Sequence, residues 1–456
     1  MRPPGPGAMG VPWSSGAERL LDGSVAVAGV DVADLAARFG TPLYVLDEAD
    51  LRSRARAFRE AFERAFAELG TGVDVYYAGK AFLCVAVARW MHDEGLSVDA
   101  STGGELAVAL AAGVPGGRIG LHGNNKSDDE IAAALEAGVS RVVADSLVEI
   151  DRLSAAATAR GVEVPVMVRV TTGVHAGGHE HIATAHEDQK FGMSMAAEPG
   201  ADSPAMTALL AVLASPGLRL LGIHSHIGSQ ILEPDGFVVA ARRVLALRAA
   251  LAERTGVLVP EVDLGGGYGI AYLPGEVPLD PERVAKDLAT AVAAAADELA
   301  TPLPRFSIEP GRALVGPAGL TLYTVGTVKP VALDGGFVRT YVSVDGGMSD
   351  NIRPALYGAR YHAEVVGRSS AAEPVTARVV GKHCEAGDVV VRDVELPGDV
   401  AAGDLLAVAA TGAYGRSMAS NYNLVPRPPV VGVRDGEARV LVRRETVADL
   451  LALDQH

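Results

Sequence analysis

The spacing of apolar residues changes twice along this chain, and the changes mark out its parts. Leu51, Ala55, Phe58, Phe62, Phe66 and Leu69 recur every three or four positions, which predicts one face of an amphipathic helix with Asp47 as its cap. From Val73 the pattern becomes short β-rich runs at 73–78, 97–100, 118–121, 141–144, 164–170, 218–227, 261–264 and 305–308. Alanine-rich helical stretches at 104–112, 128–137, 146–160, 235–254 and 281–299 lie between them. Eight strands alternating with helices over about 240 residues predict a (β/α)8 barrel, a TIM-type α/β fold, rather than an open sheet.

Beyond Gly311 the texture becomes Val/Thr/Leu alternation broken by Gly, Pro and Asp, at 320–328, 338–344, 375–380 and 405–409. An Asp-Gly hairpin signal at 434–437 separates runs at 430–433 and 438–442, so this part reads as an all-β domain. A leader strand at 42–46 is expected to join it. The expected organisation is a disordered Pro/Gly-rich tail over 1–19, a β domain from 20–48 and 312–456, and a barrel over 49–311. Residues 196–203 are expected to lack regular order.

Composition narrows the function. The chain has 456 residues, a formal net charge of −16 and two cysteines, Cys84 and Cys384. The negative charge argues against nucleic acid or an anionic membrane as partner, and charge, Gly or Pro interrupts every apolar run before it reaches bilayer length. The opening MRPPGPGAMG lacks an apolar signal core, and disulfide stapling is improbable, so a cytoplasmic enzyme is expected.

In such a barrel the active site gathers at the C-terminal ends of the strands. The first strand ends in Gly79 and Lys80, backed by Ala81, Phe82, Leu83 and Val85; a partly desolvated amine there is a Schiff-base nucleophile, although most lysines are simply solvated. Later strands end in Asp99, Ser101 and Glu105, in His122 and Asn124, and in Arg169. Three motifs follow them: HSHIGSQ with His226 and Ser229, DLGGGYG with Gly265, Gly266 and Gly267, and EPGR with Glu309, Gly311 and Arg312. The three glycines let backbone N–H groups approach an anion, or serve only as a tight turn. Neither the dinucleotide fingerprint nor a P-loop fits: Ile270 and Asn125 stand where each requires glycine. A carboxylate such as Glu309 suits a pyridinium nitrogen, and a guanidinium such as Arg312 suits a carboxylate or phosphate; a structural ion pair is the plainer reading of both.

The segment 175–186 carries His175, His179, His181 and His186 in a spacing that matches no zinc pattern, so no metal is expected and a cover over the site fits its length better. By default Asn351, Arg353 and Tyr357, the HCEAGD run with Cys384 and Glu385, and Tyr414 are surface-loop residues.

In order, YYAGKAF, HIGSQ, DLGGGYG, EPGR, NIRPALYGA, HCEAGD and GAYG resemble the motifs of the fold-type III pyridoxal-phosphate decarboxylases, over nearly the whole chain from about Leu20. The resemblance implies pyridoxal 5'-phosphate held on Lys80, with His226 stacked on its ring and Glu309 at its nitrogen. It implies Ser229, Gly266, Gly267, Gly311 and Tyr414 around the phosphate, and Arg312, Arg353 and Tyr357 on substrate carboxylate and amine groups. It further implies a homodimer with shared sites, in which Cys384 donates a proton across the interface and Glu385 reads the distal amino group. The activity implied is decarboxylation of meso-2,6-diaminopimelate to L-lysine. Ornithine, arginine or carboxynorspermidine decarboxylation, racemisation and non-catalytic cofactor carriage remain as competing readings. Phe82, Ala185 and Ala386 depart from the family pattern.

Overall fold

Eight parallel strands close on themselves in the computed structural model, which describes residues 7–174 and 190–455. In chain order they are Val73–Ala78, Ser97–Ala100, Ile119–Leu121, Arg141–Ala144, Val164–Thr171, Leu218–Ser225, Glu261–Asp263 and Arg305–Ile308. Each pairs with the next, and Phe306 of the eighth pairs with Val73 of the first, so no sheet edge is left among them. The expected segment 175–186 lies outside the described residues.

The chain forms two units, Ala55–Gly269 with Pro278–Gly311, and Met1–Arg54 with Ile270–Val277 and Arg312–His456. The first contains the barrel. Its helices are set by short polar signals: Ser127 and Glu130 form a reciprocal capping box at the start of Asp128–Ala137, and left-handed Gly138 ends that helix. The helix Glu48–Ala67 leads into the barrel unit, where Phe58 and Phe62 meet Tyr268 edge-on and Phe66 meets Phe306 in the same way. The predicted apolar stripe is therefore the buried one.

Lys126 is buried inside this unit, where its Nζ donates to Gly123 O at 2.7 Å, Val143 O at 2.6 Å and Glu149 Oε1 at 2.6 Å. Desolvation lowers its pKa while Glu149 pulls it back up. Lys126→Ala would strand a buried carboxylate and two carbonyls, so it is expected to lower unfolding free energy by about 3–5 kcal/mol. The midpoint of chemical denaturation reads this; a shift under about 1 kcal/mol contradicts it.

The second unit is built on the 14-residue strand Gly319–Ala332. Leu43–Asp47, Val338–Val344 and Leu405–Val408 all pair with it antiparallel, so the leader strand does join the β domain. Val430–Arg434 adds parallel to Leu43–Asp47 and turns back into Glu437–Val442 through Asp435 and Gly436, both at positive φ as a two-residue hairpin turn requires. Val45, Leu322, Ala407 and Val431 meet in its core.

Three segments differ from the expectation. Residues 7–19 are not a disordered tail: Gly7–Ala8 and Ala17–Arg19 form a small sheet with Val25–Val27 and Val30–Asp31, and Trp13 is buried at 4% exposure. One buried indole offsets much chain entropy, a term that Pro/Gly composition does not reveal. The helices Val85–Asp93 and Pro204–Ala214 were not anticipated; the second is apolar nearly all round, which leaves no face to read, and Ser203 caps it. Among the described residues no helix is long and apolar enough to cross a membrane.

Candidate active site

Within the barrel unit the strand ends carry a ring of titratable groups. Lys80 sits in a single 3₁₀ turn, Gly79–Ala81, directly after the first strand. It is exposed while Ala81 and Phe82, which follow it, are buried. Burial raises the carboxyls of Asp99, Glu105 and Glu309 above the ordinary range, with the Lys80 charge acting against it at each, and burial holds His226 well below the imidazole range, with Lys80 acting in the same direction.

Glu309 follows the eighth strand and is 3% exposed. Burial pushes its carboxyl above the usual range, with Lys80, Arg169 and Arg141 acting in the opposite direction. Its Oε1 lies 3.2 Å from Nε2 of both His122 and His224, yet no contact there has hydrogen-bond geometry. Burial holds His122 well below the ordinary imidazole range and His224 at about 3, so both are neutral at pH 7. Asp263, raised to about 6 mainly by burial, completes the floor and accepts from Gly265 N at 2.8 Å.

The glycine loop is fixed to these groups by its backbone. Glu309 N donates to Gly265 O at 2.9 Å, and Gly266 N donates to Nδ1 of His226 at 3.2 Å. That bond leaves the proton of the neutral His226 ring on Nε2. A Cβ at Gly266 would lie 2.2 Å from the Glu309 carbonyl oxygen, and one at Gly267, whose φ is +117°, 2.6 Å from that of Gly228. A Cβ at Gly311 would lie 2.9 Å from the Ala78 side chain. Backbone amides, a neutral histidine and a buried carboxylate whose Oε1 has no hydrogen-bond partner among the described residues form a cradle that suits a flat, anion-bearing heteroaromatic group. Ser229 is exposed beside it.

On the fifth strand Arg169 stands 3.8 Å from Asp145 and lies over the Phe191 ring at 4.4 Å. Asp145 also accepts from Gly192 N at 2.7 Å, so the Lys190–Phe191–Gly192 corner is anchored to the barrel.

In the other unit two guanidiniums converge. Nη1 of Arg312 donates to Tyr272 Oη at 2.5 Å and Nη1 of Arg353 to the same oxygen at 2.9 Å. Arg353 also donates to Tyr361, and both arginines lie over the Tyr414 ring, at 4.7 and 5.9 Å. Arg353, expected as a loop residue, is buried; Tyr414 sits at φ +60°. Tyr357 is 64% exposed, and Cys384 and Glu385 are exposed too, on a turn pinned by His383 to Ser349 at 2.7 Å and by Asp388 to Met348 N at 2.6 Å. Glu385 accepts from Gly387 within that turn. Tyr272 and Tyr361 escaped the sequence reading, because single tyrosines with no periodicity carry no signal of what they will bind.

Residues 48–316 match the model of the pyridoxal-dependent decarboxylase family, pyridoxal binding domain. The diaminopimelate decarboxylase of Mycobacterium tuberculosis (strain ATCC 25618 / H37Rv) is 53% identical over 449 residues, 97% of each chain. That of Bacillus subtilis (strain 168) is 44% identical over 432 residues, 95% of each. The structure of diaminopimelate decarboxylase from M. jannaschii in complex with L-lysine is similar with a TM-score of 0.86 at 34% identity, covering 95% of this chain and 96% of that one. This chain belongs to the pyridoxal-dependent decarboxylase family, and within it to the diaminopimelate decarboxylases.

Proposed function

We propose that the chain removes carbon dioxide from meso-2,6-diaminopimelate to give L-lysine, with pyridoxal 5'-phosphate bound at the barrel rim. The observation that carries the chemistry is Glu309, a buried carboxylate with one oxygen lacking a hydrogen-bond partner among the described residues, on the rim that also bears Lys80. The substrate rests on the relatives, whose name it is, and on the paired arginines.

The group's contribution, when bound, is an electron sink for the pair left behind as carbon dioxide departs. Lys80 would hold it covalently, and Glu309 would keep a proton on its ring nitrogen. His226 would lie against the ring, its orientation fixed by Gly266 N. Gly266, Gly267, Gly311, Ser229 and Tyr414 would receive the phosphate. Arg312, Arg353 and Tyr357 would take the substrate carboxylate and amine groups. Cys384 would deliver the proton that replaces the lost carboxylate, and Glu385 would bind the distal ammonium. Both are exposed on their own chain, which supports a homodimer in which each subunit completes its partner's site. We place the enzyme in the cytoplasm, where two cysteines outside any disulfide are stable.

Incubating the cofactor-loaded protein with meso-diaminopimelate, ornithine and arginine separately, and following carbon dioxide and amine, tests this directly. Lysine from meso-diaminopimelate alone is expected. Turnover of ornithine or arginine instead would overturn the substrate, and no carbon dioxide from any of them would overturn the reaction.

A further inference from the structure

We propose that, in the chain without pyridoxal 5'-phosphate, His122, His224 and Glu309 hold a divalent transition-metal ion of the zinc class, and that this ion and the cofactor exclude each other. The exclusion rests on the proposed function, in which Glu309 serves the ring nitrogen; the metal site itself does not. Three different strands bring the donors together: His122 follows the third, His224 lies in the sixth and Glu309 follows the eighth. One donor atom from each lies within 4.8 Å of the other two, and Oε1 of Glu309 is 3.2 Å from Nε2 of both imidazoles. The proposed decarboxylation gives neither histidine a task.

Neither short contact has hydrogen-bond geometry. Oε1 of Glu309 and both ring nitrogens of His224 have no hydrogen-bond partner among the described residues, and all three side chains are buried. Buried polar atoms left this way cost free energy, and a cation shared by the three would recover it. Donors about 2.0–2.1 Å from a tetrahedral ion stand about 3.3 Å apart, close to the 3.2 Å found here. Among the described residues nothing fixes the tautomer of His224, so its Nε2 is able to present a lone pair. Two imidazoles and one carboxylate select zinc, cobalt, nickel or copper over magnesium or calcium, and they make the three-ligand set of an open zinc site with water in the fourth position. Charge favours a dication as well. Asp99, Asp263 and Glu105 act on this cluster beside Glu309 itself, against Lys80, Arg169 and Arg141, so carboxylates outnumber cations. A dication on Oε1 cancels the negative charge that a protonated ring nitrogen needs, so ion and cofactor compete.

The test uses the full chain, stripped of cofactor and dialysed against a chelator, with Co²⁺ as the visible probe and Zn²⁺ as its competitor. One Co²⁺ per chain is expected, with the strong visible absorption of four-coordinate cobalt, displaced by Zn²⁺ and not by Mg²⁺. His122→Gln and His224→Gln should each weaken Zn²⁺ about 100-fold, the upper end of what losing even an outer-shell partner costs. Circular dichroism identifies a variant that has not folded, and Glu309→Gln, which keeps the volume, then supplies the same readout. A chain with His175, His179, His181 and His186 all changed to Gln should bind as the wild type does. With about nine chains in ten holding Zn²⁺, the visible absorption of bound cofactor should appear about tenfold more slowly, and a chelator should restore the rate. Zinc affinity unchanged in all three variants, binding lost only with the four histidines of 175–186, or ion and cofactor held together in one chain would each overturn the proposal. A chain that binds the ion through these residues yet takes up no cofactor, with or without chelator, sinks the proposed function and leaves the metal site standing.

Discussion

Lys80→Ala is expected to reduce kcat for meso-diaminopimelate about 10⁴-fold, equivalent to about 5.5 kcal/mol of barrier. The side chain offers the amine that directly follows the first barrel strand, in the turn Gly79–Ala81. The fold should survive, because Lys80 is exposed and Ala81 and Phe82 retain their packing. Two measurements separate chemistry from folding. The variant should lose the visible absorption of covalently held cofactor while keeping the far-ultraviolet circular dichroism and denaturation midpoint of the wild type. Activity within about tenfold of the wild type would refute the assignment.

Glu309→Gln should come second, lowering kcat by about 10²–10³-fold, the range found when one preorganised electrostatic contact is removed. The amide keeps the volume and the backbone bond from Glu309 N to Gly265 O, so the glycine loop stays put. What disappears is negative charge in a place where burial already resists it. In the unliganded chain that resistance raises the carboxyl's pKa, and Lys80 and Arg169 counter it. A cationic partner would counter it further, so the carboxylate form is the one the bound state selects. The bound cofactor of the variant should therefore absorb at a different wavelength from that of the wild type. An unaltered spectrum with unaltered kcat would show that Glu309 does not face the ring nitrogen.

How much of this was legible depended on the kind of signal. Barrel strands are buried on both faces and read as apolar runs, so all eight appear in the sequence to within a few residues; the glycines and polar residues that end them mark the rim. The Asp435–Gly436 hairpin was equally plain, since only that pair's backbone freedom makes the turn. Other features had no local signature. Trp13 orders a Pro/Gly-rich stretch through burial, which depends on distant residues. Arg353 looked like a loop arginine, and only folding places it on Tyr272 and Tyr361. His122 and His224 meet Glu309 from three different strands, a relation that spacing along the chain cannot express.

The sandwiching of Leu43–Asp47 between Gly319–Ala332 and Val430–Arg434 has a consequence for biosynthesis. Tyr44 and its partner Val430 are separated by roughly 390 residues, which a ribosome working at about 5–20 residues per second takes roughly 20–80 s to synthesise. Until Gly319–Ala332 is made the apolar strand, already emerged, has neither neighbour, and it lacks the second until Val430–Arg434 follows. The barrel strands that follow it are completed first, so the nascent chain carries a folded rear portion and an unsatisfied front edge at once. Holding that edge away from other nascent chains is a task for chaperones, and expression at lower temperature or with added chaperone should raise the yield of native protein more than it raises total synthesis.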